Sequence, residues 1–157
     1  MIFWDFAAAF SSLFHSWILA VFAQLGFPDG VLEFLNAILF HNFALGQSNG
    51  KNVFLYLILV VIIQGCPSSG LVFAVATHPF FKELQRIQEG LNIAWPDCAA
   101  IRFCADDIGA ALASFRYLAL LQPVFKLAQG ASGLVLNAAK CVIVPLSGMW
   151  PRLLPSL

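Results

Sequence analysis

The residues best suited to chemistry in this 157-residue chain are Cys104-Ala105-Asp106-Asp107. Two adjacent carboxylates stand between two apolar runs, AAIRFC before them and IGAALA after, in a chain only 10% charged. Carboxylates set in such surroundings are costly unless a cation meets them. A hard divalent ion such as Mg²⁺ is the usual partner, because it takes carboxylate oxygens. An Asp-Asp pair is also common in plain solvated turns, so the motif needs company elsewhere in the chain.

Elements must exist to position these residues. Ile2 to Phe6 reads as a short strand, followed by a helix over Ala7 to Leu25 closed by Gly26 and Pro28. A second helix is expected from Pro28-Asp29 to about Phe40, with Asp29 and Glu33 suited to its N-terminal half. Gln47-Ser48-Asn49-Gly50 is a turn signal leading into an apolar strand over Val53 to Ile62. Ser68 or Ser69 opens a helix expected to reach about Gln88, with Gly90 and Pro96 breaking the pattern. Ala99 to Cys104 and Ile108 to Leu112 then form a hairpin with Asp106-Asp107 at its tip. Ser114 to Gln129 reads as a helix ended by Gly130, and short strands follow near Leu134–Leu136 and Val142–Pro145. The pattern is α+β without regular βαβ spacing.

Composition narrows the function classes. Eight acids balance eight bases, so the chain offers no electrostatic footprint for nucleic acid. Cys66, Cys98, Cys104 and Cys141 have no CxxC spacing and no paired histidines, which indicates neither zinc nor a disulfide framework. They read as reduced, buried, apolar residues of an intracellular chain, in nucleus or cytoplasm. His15, His41 and His78 read as structural. With 61% hydrophobic residues, the composition also fits a small membrane-associated structural protein. Against a span, the continuous run Val53 to Ile63 would rise only about 16 Å as a helix, half the hydrocarbon thickness. Its β-branched content favours a strand packed beneath the rest of the fold.

Four segments stand in one order: Asp5-Phe6-Ala7-Ala8-Ala9-Phe10, then Gln64-Gly65-Cys66-Pro67-Ser68-Ser69-Gly70, then Cys104-Ala105-Asp106-Asp107, then Gly133-Leu134-Val135-Leu136-Asn137-Ala138-Ala139-Lys140. This series resembles the palm of reverse transcriptases, above all those of non-LTR retrotransposons, whose motifs read DFxxAF, QGxPxSG, (F/Y)ADD and GLxLNxxK. The resemblance covers residues 1–146, a partial palm domain, and leaves 147–157 as a C-terminal tail. Cys104 stands where the family usually has Phe or Tyr, and Ser68 where it usually has Leu.

The resemblance implies a polymerase palm-like fragment of antiparallel strands with packed helices, its fingers and thumb missing. It implies RNA-directed DNA synthesis with Mg²⁺ or Mn²⁺, on an RNA template with a DNA primer and dNTPs, in the parent enzyme. Asp5 and Asp106 would be the main metal ligands and Asp107 a supporting one. Phe10 would lie under the sugar and exclude a 2′-hydroxyl, Gln64 and Gly65 would shape the nucleotide pocket, and Lys140 would stand near the leaving pyrophosphate. Taken singly, each residue has a plainer explanation. Asp5 could cap the following helix, Phe10 could be core, Gly65-Cys66-Pro67 a turn and Lys140 a surface lysine. The isolated chain is expected to bind metal but to show no measurable templated synthesis. A noncatalytic retroelement remnant, serving as an interaction module, is a further alternative.

Overall fold

The short N-terminal strand forms, and partners more than 100 residues along the chain decide its place. The computed structural model describes residues 1–40, 42–60, 62 and 67–146. The first half comprises β1 (Ile2–Trp4), β2 (Phe6–Ala7), α1 (Ala9–Ser12), α2 (His15–Gln24), α3 (Asp29–Leu39), β3 (Phe43–Ser48) and β4 (Lys51–Leu57). After it come α4 (Ser69–Ala94), β5 (Ala99–Cys104), β6 (Asp107–Leu112), α5 (Leu118–Ser132), β7 (Val135–Leu136) and β8 (Val142–Ile143). The architecture is α+β, as expected. An antiparallel sheet of order β5-β6-β1-β8 packs on helices, beside two strand pairs, β2-β7 and β3-β4.

The core lies between this sheet and the helices. Ile101, Ile108 and Ala110 alternate inward from β5 and β6 to join Phe73, Phe80 and Leu84 of α4 and Leu121 and Phe125 of α5. Trp4 meets Phe125 with ring centroids 5.2 Å apart, and Phe80 meets Phe125 edge-on at 5.3 Å. Pro79 sits inside α4, where its ring removes one backbone donor from the helix ladder. Close to this break the Trp17 indole N–H, from α2, donates to the Ala76 carbonyl at 2.9 Å. Trp17→Phe should therefore lower stability by about 1 kcal/mol in urea denaturation. A change below about 0.3 kcal/mol would show that the bond contributes nothing net.

Four expectations are corrected by tertiary contacts. The helix expected over Ala7 to Leu25 is split, because the chain is extended at Leu13 (ψ 125°) and Phe14 (ψ 132°). There Leu13 is fully buried, and the Phe14 N–H donates to the Ser132 carbonyl at 2.9 Å. Second, α4 does not stop at Gln88 but continues through Gly90 to Ala94. Its last turns are tied to the edge strand β5. The Asn92 side chain bonds both the N–H and the C=O of Ala99, and Gln88 Oε1 accepts from Ile101 N at 2.6 Å. Third, α5 passes Gly130 and ends at Ser132, with Gly133 in the left-handed region (φ 84°) as its cap.

The fourth correction concerns the apolar run. Lys51–Leu57 is indeed a strand, paired with a β3 that the sequence left undivided. Asn49 and Gly50, both at positive φ (50° and 72°), make the two-residue turn between them. The hairpin is not packed beneath the fold, however. Phe54, Leu55, Tyr56 and Leu57 are all more than half exposed, and burial returns only at Ile62. Among the described residues no further strand or helix layer covers this ribbon. Nor is any helix among them long and apolar enough to cross a membrane.

Candidate functional site

The ends of the four sheet strands bring the singled-out residues together. On β5 and β6, Cys104 faces Asp107, so the turn consists of Ala105 and Asp106 alone. This moves Asp107 from the expected tip into the ladder. Trp4 faces Ile108 and Phe3 faces both Gly109 and Val142. Asp5 follows Trp4 at the end of β1 and Asp107 precedes Ile108 in β6, so the two adjoin the last pair of that ladder, whereas the β1-β8 ladder ends at Phe3 and Val142 and the Asp5 backbone meets Asn137 instead. Cys104 and Asp107 thus close the β5-β6 hairpin with Asp106 in its turn, Asp5 lies just past the end of β1 in the same sheet, and the Lys140 side chain reaches Asp5 from the turn before β8.

The backbone around Asp5 and Lys140 is held by its own chemistry. The Asp5 carbonyl accepts the Asn137 N–H at 2.8 Å, directly after β2 has paired with β7. The Asn137 carbonyl in turn accepts the N–H groups of Lys140 (2.9 Å) and Cys141 (3.1 Å). That turn carries the Lys140 side chain back over the sheet, with Nζ 3.5 Å from Asp5 Oδ2. Asn137 was not among the expected site residues, although Asn is a residue suited to such a turn. Asp5 does not cap the following helix; Ala8 holds the N-cap position of α1.

Two non-glycine residues with positive φ flank the carboxylates: Ala8 (51°), three residues after Asp5, and Ala105 (53°), just before Asp106. Left-handed conformations of this kind store strain, and such strain gathers at functional sites. Sequence alone offered no sign of it, since alanine is neutral in most contexts. Phe10 is half-buried and stacks on Phe73 of α4, with centroids 4.3 Å apart and planes at 16°. Gln64 and Gly65 lie outside the described residues, as do Cys66 and positions 147–157. Of the other cysteines only Cys98 is buried; Cys104 is exposed, contrary to its expected role as a core residue.

Asp5 Oδ2 is closed off from solvent and accepts no hydrogen bond. Among the described residues no three carboxylate, imidazole or thiol groups converge on a common point. The donor set thus fits a hard cation shared by one or two carboxylates, with phosphate and water oxygens completing its sphere, as Mg²⁺ is commonly held. It does not fit an ion enclosed wholly by protein.

No family model matches the sequence, and no curated protein matches it. Solved structures do share its fold. A telomerase from Candida tropicalis, truncated from its C-terminal domain, superposes over 94% of this chain with a TM-score of 0.67 at 13% identity. A Candida albicans telomerase, in complex with a TWJ fragment of telomeric RNA, superposes over 96% with a TM-score of 0.73 at 10% identity. The chain spans 31% and 28% of those two proteins. At such identities the likeness defines the fold alone: an α+β unit matching part of a telomerase.

Proposed function

We propose that this chain is reverse-transcriptase-like, performing or descended from RNA-directed nucleotidyl transfer, with its sequence motifs nearest those of non-LTR retrotransposons. The observation that supports this reading is the ion pair of Lys140 with Asp5, beside the Asp107 end of β6, which joins motif residues from distant segments in a telomerase-like fold. On motif order, Asp5 and Asp106 would be the main ligands of Mg²⁺ or Mn²⁺ and Asp107 a supporting one, each ion taking one or two of these carboxylates together with phosphate and water oxygens. Two such ions would supply activation of a primer 3′-hydroxyl and stabilisation of the triphosphate. Phe10, braced by Phe73, presents a flat ring that would exclude a 2′-hydroxyl. Lys140 would place positive charge where pyrophosphate leaves. Gln64 and Gly65 are assigned to the nucleotide pocket on motif order alone. The proposed partners are an RNA template, a DNA primer and dNTPs.

The test is Mn²⁺-dependent binding of a fluorescent dNTP, together with primer extension on an RNA template. Both are compared with the variant Asp106→Asn, Asp107→Asn. Binding that needs Mn²⁺ and disappears in the variant is expected. Extension by these 157 residues is not expected, because a net charge of zero gives little grip on duplex phosphates. Extension that vanished in the variant would show that the chain suffices. Binding indifferent to the two carboxylates would remove the polymerase reading. It would leave the alternative favoured by the exposed β3-β4 hairpin, a noncatalytic interaction module.

A further inference from the structure

We infer that Lys140 is the resident cation of the metal-free site, and that a divalent ion must displace it to use Asp5. The inference rests on the metal-dependent reading above and adds a competition to it. Asp5 Oδ2 is shut off from water and receives no hydrogen bond, so its charge must be balanced by another route. The Lys140 ammonium, 3.5 Å away, is the group that does so. A divalent ion bound to that oxygen would stand within a few ångströms of the ammonium, and like charges at that distance repel strongly. One of them must move.

Lysine is the group able to do so. Its side chain is 68% exposed on a flexible stem, and it holds Asp5 by charge alone, with no hydrogen bond between the two groups. Its backbone stays fixed by the Asn137 turn, so the ammonium swings about an anchored point at the sheet end. The ammonium released from Asp5 would be free to meet phosphate oxygens brought in by a nucleotide. Metal loading and delivery of Lys140 to the phosphates would then be two sides of one exchange.

Mn²⁺ titration followed by electron paramagnetic resonance, which counts free ion and needs no turnover, tests this on the full 157-residue chain. Lys140→Met should bind Mn²⁺ about 10-fold more tightly than wild type, because one positive charge beside the ion is gone. Lys140→Arg, which keeps the charge, should stay near wild type. Lys140 is exposed, so neither change should shift the thermal midpoint appreciably, and melting curves check this. Unchanged or weaker binding by Lys140→Met overturns the inference, as does Lys140→Arg binding as tightly as Lys140→Met. Absence of Mn²⁺ binding in every form, or binding untouched by Asp5→Asn, instead sinks the metal-dependent reading and the competition with it.

Discussion

Gly133→Ala is expected to destabilise the protein by about 3 kcal/mol or more, from left-handed strain and overpacking together. At φ 84° an alanine is already strained, and its Cβ would lie 2.3 Å from the Ser12 carbonyl oxygen and 3.0 Å from the Phe14 ring. Ser12 ends α1 and Phe14 belongs to the extended break that follows, where its N–H donates to the Ser132 carbonyl. Neither side can give way without tearing that junction. Three residues earlier, Gly130 lies inside α5, and a methyl group added there would meet nothing within 4 Å. Gly130→Ala should therefore stabilise by about 0.5–1 kcal/mol, the helix preference of Ala over Gly. Urea denaturation of both variants reads the contrast directly. Equal effects, or a tolerated Gly133→Ala, would contradict the close approach on which the fourth motif is mounted.

Asp5→Asn should weaken Mn²⁺ binding by at least about 100-fold, since even partners one shell out from a metal contribute about 10–100-fold. The amide keeps the size of the side chain and loses the charge and one acceptor. Fold stability should hardly change. The pair with Lys140 is partly exposed, with Lys140 at 68% and Asp5 at 30%, and such pairs contribute at most about 1 kcal/mol. Lost binding beside an unchanged urea midpoint is the signature of a residue placed for chemistry. Binding retained within a few-fold would mean that Asp5 is not a ligand. A large fall in stability would mean that it serves the fold instead.

Local chemistry was readable wherever it acts over a few residues. The Asn49-Gly50 turn, the helix opening at Asp29, and the antiparallel pairing around Ala105-Asp106 all follow from side chains and their immediate neighbours. The errors fall where a distant partner intervenes. Leu13 leaves the helix because burial and the Ser132 carbonyl hold its segment extended. Gly90 does not end α4, because Asn92 and Gln88 bond the edge of β5. The run Val53 to Ile63 is expected to pack beneath the fold from its β-branched content, yet Val53 to Leu57 lie exposed, since burial depends on having something to pack against.

The candidate site divides in the same way. By itself the sequence determined which groups are available, Asp5, Asp106, Asp107 and Lys140, and their order along the chain. Types and order come from covalent structure and are complete before folding. Only the tertiary structure decided that Asp5 ends its strand beside the Asp107 end of β6, that Asp107 lies in the ladder while Asp106 occupies the turn, and that Lys140 rests on Asp5. Strand register between segments roughly 100 residues apart is chosen by pairing of whole strands and by which face meets the helices. A slip of one residue would turn each side chain to the opposite face. No local signal carries that choice.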